Sequence, residues 1–287
     1  MEKAASVLYT SPSGFNYSLI LPIETDYLKN QNQVKSWMTN HWAYSFPISA
    51  IYLILIYVGK NYMASRNAFE LRRLFLLWNI CLATYSILGA SRTLPEFIYI
   101  LSQKGIKYSI CVETFSHGIT GYWSWLFILS KPIELVDTAF LILRKRELIF
   151  LHWYHHVTVL IFVWYSMIDF PATGRWFATI NYTIHAIMYA YYAIAVLRII
   201  HIPKWISMAI TSMQIIQMVA GVYVNIKAYY YKQVDNSCDV NYSNIYASLL
   251  MYASYFYLFF KFFYDKYFCD TTKKVKNIHE ANGKKRE

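Results

Sequence analysis

The chain has 287 residues, of which 57% are hydrophobic and 15% are charged, a composition too apolar for an ordinary soluble domain. Its formal net charge of +11 comes from lysines and arginines in loops and at the tail, with no separate basic domain, so we expect no nucleic-acid partner. The 4 cysteines show neither a disulfide-rich framework nor a CxxC motif, and no metal site is expected.

Apolar segments long enough to cross a bilayer as helices recur along the chain. They predict an all-α integral membrane protein with seven spans, near residues 43–62, 74–92, 118–143, 148–168, 176–197, 205–226 and 244–264. Residues 1–42 then form an N-terminal segment, 43–268 the membrane domain and 269–287 a basic tail.

The placement of basic residues predicts the orientation. Lysines and arginines concentrate in the 59–73 loop, at Arg144–Arg146, in the 198–204 loop and in the tail. The positive-inside rule places these segments, and hence the C-terminus, in the cytosol, and the N-terminal segment in the lumen. The sequons at Asn16 and Asn241 then face the lumen, where they are either glycosylated or unused.

Two cysteines fall in loops on the same predicted side of the membrane. Cys111 and Cys238 are predicted to pair if that compartment is oxidising, and two unrelated free thiols are the alternative. The chain ends Lys284-Lys285-Arg286-Glu287, which is similar to the dilysine signal of endoplasmic reticulum membrane proteins. Both features predict the endoplasmic reticulum.

Charged side chains lie in the middle of the third span. At 100° per residue, Lys131, Glu134 and Thr138 share one helix face, with Asp137 at its edge, and Pro132 is expected to bend the helix. Ionisable groups at this depth are costly and usually face an internal cavity. They either serve a reaction or form a buried ion pair that only fixes helix packing.

Histidines mark the next two spans. His152, His155 and His156 fall within about 100° of arc on the fourth span, which predicts that their imidazoles converge inside the bundle. His185 lies on the fifth span. A convergent histidine group inside an apolar bundle predicts a buried reaction chamber.

Further polar residues continue the pattern. Tyr189 and Tyr192 share the face of His185, and Thr211, Gln214 and Gln217 recur on the sixth span. Plain packing of the tyrosines and hydrogen bonds between helices are the alternative explanations.

These residues together resemble the four signature motifs of the membrane fatty acid elongases, in that family's order. The motifs are Lys131-x-x-Glu134-x-x-Asp137-Thr138, His152-x-x-His155-His156, His185-x-x-Met188-Tyr189-x-Tyr191-Tyr192 and Thr211-x-x-Gln214-x-x-Gln217. The resemblance extends from about residue 42 to the last span. The form of the second and third motifs is most similar to elongases of saturated, monounsaturated or branched chains.

The resemblance implies a fold, a reaction and partners. Six of seven helices would surround a tunnel that opens to the cytosol and closes near the lumen. Acyl-CoA would condense with malonyl-CoA to 3-oxoacyl-CoA, CO2 and CoA, with no cofactor, in the endoplasmic reticulum membrane. Reductases and a dehydratase of the elongation cycle would be partners, in a homo- or hetero-oligomer.

The resemblance also predicts roles for the motif residues. His155 would accept the acyl group because no cysteine lies in a motif, and His185 would polarise a thioester carbonyl. The remaining predicted catalytic residues, which orient groups, shuttle protons or hold a carboxylate, are His152, His156, Lys131, Glu134 and Asp137. The predicted substrate-binding residues are Asn181, Met188, Tyr189, Tyr192, Gln214, Gln217 and, for CoA phosphates, Arg144 and Arg198.

Two other functions use some of these features. A di-iron membrane desaturase or hydroxylase also has an HxxHH motif, but it needs about eight histidine ligands. This chain has 8 histidines in total, and His41, His117, His201 and His279 lie outside the motifs. A seven-helix transporter or receptor would have no need for converging histidines.

Overall fold

The computed structural model describes residues 9–269, which are almost entirely helical. A short antiparallel hairpin pairs Tyr9–Thr10 with Asn16–Tyr17. Within the described residues ten α-helices follow: α1 Pro22–His41, α2 Ser45–Ala64, α3 Arg72–Gln103, α4 Gly105–Cys111, α5 Gly118–Glu134, α6 Val136–Leu143, α7 Phe150–Ser166, α8 Gly174–Leu197, α9 Lys204–Asp235 and α10 Tyr242–Tyr264. The all-α prediction is therefore confirmed, and the predicted sorting signal at 284–287 lies outside the described residues.

Several helices have the length and composition of membrane spans. The five such segments of the described chain are Pro22–Ala64, Arg72–Gln103, Gly174–Leu197, Lys204–Val234 and Tyr242–Cys269. Large apolar side chains cover their outer faces, among them Leu250 at 76% exposure and Leu55 at 61%. A water-soluble protein would expose no such continuous apolar surface. The chain is therefore a multi-pass membrane protein.

The third and fourth predicted spans coincide with shorter helices. The third consists of α5 and α6, which are separated at Leu135, and the fourth is α7, with 17 residues. The count of seven spans and the orientation remain predictions.

Pro132 explains the interruption between α5 and α6. Because proline has no backbone N–H, the carbonyl of Ile128, four residues earlier, loses its partner within the helix. The indole Nε1 of Trp164 in α7 donates to this carbonyl at 3.2 Å. The predicted bend at Pro132 is thus present as a break, and a neighbouring helix satisfies the freed carbonyl.

Two helices extend beyond their predicted ends. The second span was predicted to end at 92, but α3 continues to Gln103 and includes Pro95. The sixth was predicted to end at 226, but α9 continues to Asp235. A helix can continue beyond the membrane, so the predicted span ends at 92 and 226 remain predictions.

The N-terminal segment supplies polar partners for α3. Glu24 of α1 is fully buried and accepts hydrogen bonds from Arg92 Nε and Trp123 Nε1, both at 2.9 Å. Glu96, also buried, accepts a bond from the Tyr17 hydroxyl at 2.7 Å. Residues before the first predicted span therefore pack against the helical bundle.

Close helix pairs build the interior. α3 packs along α8, and α9 packs along α10. The Tyr182 ring lies directly over Gly89, and the Tyr252 ring over Gly221, where a Cβ on either glycine would overlap the ring. Glycine at these two positions allows the large rings to be buried between the helices.

A disulfide ties together one end of the bundle. Cys111, at the end of α4, and Cys238, in the α9–α10 loop, were predicted to pair and are joined in the structure. Asp239 N also donates to Cys111 O at 2.9 Å. The hairpin and the start of α5 lie at this same end, since Tyr9 contacts Gly118.

Candidate active site

A polar chamber of about 320 Å³ lies between the helices, at the end opposite the disulfide. Its wall includes His152, His155 and His156 from α7 and His185 from α8. The imidazoles of two neighbouring helices therefore face one cavity, as the sequence predicted. Their catalytic roles remain predictions.

The three histidines of α7 form a compact group. The ring centroids of His152 and His156 are 4.6 Å apart, and those of His155 and His156 are 5.8 Å apart. Their 3-residue and 4-residue spacings place them on one helix face. His152 Nε2 lies 3.0 Å from Thr138 Oγ1, which in turn bonds the hydroxyl of Tyr52 at 2.7 Å. This chain of bonds orients His152 from α2 and α6.

A buried ion pair borders the chamber in α5. Lys131 Nζ donates to Glu134 Oε1 at 2.7 Å, and Ser130 Oγ donates to the same oxygen at 2.7 Å. The ammonium also lies 4.1 Å from the centroid of the Phe127 ring. Lys131 and Glu134 are 3% and 5% exposed, so their charges act where water screens them little.

An amide links this ion pair to the histidine of α8. Lys131 Nζ is 3.5 Å from Asn181 Oδ1, and Asn181 Nδ2 is 3.1 Å from His185 Nε2. The amide donates to Nε2, which leaves the proton of a neutral imidazole on Nδ1. Asn181 thus connects Lys131 to His185, and its predicted contact with substrate remains a prediction.

Asp137 has its own hydrogen-bond partners. It accepts hydrogen bonds from Trp78 Nε1 at 2.5 Å and from the Tyr189 hydroxyl at 2.8 Å. It follows the interruption at Leu135, whereas Lys131 and Glu134 precede it, and its catalytic role remains a prediction. The carboxylate holds α3 and α8 against α6.

His155 lies at the junction of the chamber with a second, apolar cavity of about 70 Å³. Its ring packs against Tyr255, with centroids 4.8 Å apart, and the Tyr255 hydroxyl donates to the His155 carbonyl at 3.2 Å. Its Nδ1 is buried and has no hydrogen-bond partner among the described residues. The ring is therefore positioned by packing and backbone contacts.

The apolar cavity leads from His155 toward the disulfide end. Phe162, Val163 and Met251 are among its lining residues. Two predicted substrate-binding amides, Asn181 and Gln217, also line it. A narrow apolar cavity that meets a polar chamber at a histidine suits a substrate with a long hydrocarbon chain and a reactive polar end.

The other predicted binding residues divide between the chamber and the protein exterior. Met188, Tyr189, Tyr192 and Gln214 line the chamber, and Gln214 Nε2 lies 3.3 Å from Met188 Sδ. Their contact with substrate remains a prediction.

The predicted arginines lie outside the chamber wall. Arg144 lies over the Phe75 ring at 4.4 Å, and Arg198 ends α8 with a positive φ of 56°. Burial, together with the nearby charges of Arg146 and Arg198, lowers the pKa of Arg144, so arginines from two loops come together at this end. The basic residue in the wall itself is Lys266. Their role in binding CoA phosphates remains a prediction.

Sequence reasoning missed Trp78, Tyr52 and Tyr255. Each of them contacts a motif residue but lies on a helix that has no motif of its own. The only signal in the sequence is an aromatic side chain with a polar group on an otherwise apolar helix.

The predicted sequon residues Asn16 and Asn241 are exposed at the disulfide end, and their glycosylation remains a prediction. Within residues 9–269 no group of at least 3 His, Cys, Asp or Glu side chains is arranged to hold a metal ion.

Comparisons with known proteins agree with the motif pattern. Residues 37–276 match the model of the ELO: GNS1/SUR4 family. Very long chain fatty acid elongase 6 of Drosophila melanogaster is 43% identical over 256 residues, 88% of this chain and 80% of that protein. The human protein of the same name is 43% identical over 264 residues, covering 91% and 99% of the two chains. Human very long chain fatty acid elongase 3 is 44% identical over 235 residues, covering 82% and 86%. The chain therefore belongs to the ELO (GNS1/SUR4) family.

Proposed function

We propose that this protein is the condensing enzyme of fatty acid elongation, a very-long-chain 3-oxoacyl-CoA synthase. Acyl-CoA and malonyl-CoA are its substrates, 3-oxoacyl-CoA, CO2 and CoA its products, and the reaction uses no cofactor. The observation that carries this proposal is the position of His155, whose ring lines both the polar chamber and the apolar cavity. The names of its relatives support the same reaction class.

In the first step the acyl chain occupies the apolar cavity and its thioester reaches His155. A lone pair of the neutral imidazole attacks the carbonyl carbon, the C–S bond breaks, and the ring proton leaves with sulfur as CoA thiol. This yields an acyl-imidazole. Burial of the chain beside His155 supports the step because it holds the carbonyl within reach of one side chain.

In the second step malonyl-CoA occupies the polar chamber and loses CO2. The carbon of the resulting enolate attacks the acyl carbon, a C–C bond forms, the C–N bond to His155 breaks, and the released ring nitrogen takes up one proton from solvent. His185, held by Asn181 through Nε2, would donate a hydrogen bond from Nδ1–H to a carbonyl or enolate oxygen and keep its proton. Lys131, which is paired with Glu134, donates to Asn181 Oδ1. This bond favours the amide orientation in which Asn181 Nδ2 points at His185.

The location follows from the same proposal. We place the protein in the endoplasmic reticulum membrane, with the chamber and the C-terminus toward the cytosol, where CoA esters are found, and the disulfide toward the lumen. Reductases and a dehydratase that complete the cycle would act on its product in the same membrane. Saturated, monounsaturated or branched chains are the proposed substrates.

Replacement of His155 tests the proposal. We expect His155→Ala to lower acyl-CoA-dependent release of labelled CO2 from malonyl-CoA by on the order of 10³-fold or more, because the covalent step is lost. Incubation with acyl-CoA alone should add one acyl mass to the wild-type protein and none to the variant. His201→Ala, an exposed histidine in the α8–α9 loop, serves as the matched control and should retain activity and adduct.

Two outcomes would contradict the proposal in different ways. A folded His155→Ala protein that retains most of its CO2 release removes His155 as the acyl acceptor. Wild-type protein that releases no CO2 with any chain length indicates a transporter or receptor instead.

A further inference from the structure

The lining of the apolar cavity can be followed along α7. From His155 to Ser166 its wall follows α7 for about 16 Å, at a rise of about 1.5 Å per residue. An extended alkyl chain advances roughly 1.25 Å per carbon, given C–C bonds of about 1.52 Å, so this stretch matches roughly 13 carbons. Beyond Ser166 the lining residues are Met167, Pro171, Gly174 and Phe115.

Phe115 closes this end against Gly174. The Phe115 side chain is 4% exposed, and a Cβ added to Gly174 would overlap its ring. Gly174 begins α8, so the ring lies across the path of a chain that approaches along α7 and α8. Because residue 174 has no side chain, the Phe115 ring packs directly against the start of α8.

A second small cavity, of about 10 Å³, also touches the ring, and charged and hydroxyl side chains are among its lining residues. Phe115 and Ser124 line both this cavity and the apolar one. Its other walls include Glu96 and Arg175, which are 2% and 4% exposed. An acyl chain whose methyl end passed the ring would bring apolar groups against the buried carboxylate of Glu96 and the buried guanidinium of Arg175. Loss of polar contacts by these groups costs free energy. Phe115 therefore separates an apolar region from a charged one.

The segment that carries Phe115 is held firmly. Arg175 donates to the carbonyls of Ser109 and Val112 at 3.0 and 3.2 Å, and to the hydroxyl of Thr114. Cys111, in the same segment, is in the disulfide with Cys238. These bonds fix the backbone that precedes Phe115, and the ring itself is buried at 4% exposure.

We propose that Phe115 is the residue that sets the longest acyl chain this enzyme accepts, with Gly174 providing the space for its ring. The inference rests on the proposed function. Removal of the ring lengthens the cavity toward Glu96 and Arg175, and a side chain at 174 shortens it.

The test compares chain-length profiles. Full-length variants are incubated with labelled malonyl-CoA and a series of even-numbered saturated acyl-CoAs, and each profile is normalised to that variant's best substrate. Phe115→Ala should extend the longest accepted chain by at least one two-carbon step. Gly174→Ala should shorten it by at least one step. The double variant should return toward the wild-type limit, because the missing ring leaves room for the new Cβ.

A side-wall variant provides the matched control. Phe162→Ala removes an equal ring about midway along the cavity, and its chain-length limit should stay within one step of wild type. The inference is overturned if folded Phe115→Ala keeps the wild-type limit, or if Phe162→Ala shifts the limit equally. Thermal denaturation of each variant shows whether it has folded. The chain-length limit should shift in opposite directions in Phe115→Ala and Gly174→Ala, so the two variants test the inference independently. Absence of CO2 release from wild-type protein refutes the proposed function instead, and this inference with it.

Discussion

At the scale of single residues, the side chains that line the site are oriented by hydrogen bonds from neighbouring side chains. Asn181 accepts from Lys131 and donates to His185, so one amide fixes the ring orientation of a histidine on the chamber wall. Trp78 and Tyr189 similarly hold Asp137. A buried hydrogen bond of this kind costs about 1–3 kcal/mol when one partner is left unpaired.

Asn181→Leu should therefore impair the reaction through His185. We expect kcat to fall about 10- to 100-fold, which corresponds to about 1–3 kcal/mol. Because His185 is proposed to act on the reacting oxygen, KM for acyl-CoA should change much less. Steady-state kinetics with acyl-CoA and labelled malonyl-CoA measure both quantities.

Asn225 provides a matched control for this substitution. It is more deeply buried, at 1% exposure, and donates to Ser248 Oγ at 2.8 Å, away from the chamber. Asn225→Leu should lower thermal stability while folded protein keeps its kcat. Equal losses of kcat in both variants would show that Asn181 acts only through stability.

At the scale of helices, the break between α5 and α6 positions two polar networks. Lys131 and Glu134 lie before it, and Asp137 and Thr138 lie after it. One continuous helix would hold these residues in a single register and could not serve both sets of partners.

Pro132→Ala should restore a backbone N–H that can bond Ile128 O, in competition with Trp164. We expect the helix to continue through Leu135, the Asp137 and Thr138 contacts to be displaced, and condensation activity to fall at least about tenfold, since loss of one such contact costs about 1–3 kcal/mol. Helix content by circular dichroism should not decrease. Labelled-CO2 release measures the activity.

Pro95→Ala is the control for this prediction. Pro95 also lies inside a helix, but on the exposed surface of α3 and outside the chamber wall. It should keep normal activity. Unchanged activity in Pro132→Ala would show that the break is not needed for the site.

At the scale of the whole molecule, the two ends of the bundle differ. The chamber end carries the clustered arginines and Lys266. The opposite end contains the hairpin, the bond between Glu24 and Arg92, and a disulfide that joins residues 127 positions apart.

The disulfide should contribute to global stability. A cross-link over so long a segment restricts the unfolded chain, and removing a native disulfide typically costs about 2–5 kcal/mol. We expect Cys111→Ser to lower the midpoint of thermal unfolding in detergent by roughly 5 °C or more. The double variant with Cys238→Ser should be no less stable than the single one. A midpoint that does not respond to a reductant would refute the prediction.

The sequence by itself determined the class of protein and the histidines that line the chamber. Apolar segments of bilayer length indicate membrane helices because the hydrocarbon core leaves no other way to satisfy the backbone. Histidines spaced three and four apart lie on one helix face because of the helical repeat. Such local relations allowed the convergence of His152, His155 and His156 on one helix face to be predicted without any packing information.

Tertiary structure alone decided what depends on contacts between distant segments. Glu24 and Tyr17 bond Arg92 and Glu96 of α3, and Trp164 bonds the Ile128 carbonyl that Pro132 leaves free. Phe115 meets Gly174, 59 positions later in the chain. No periodicity within one helix encodes these contacts, because each arises from packing between elements whose relative placement is set by the whole bundle.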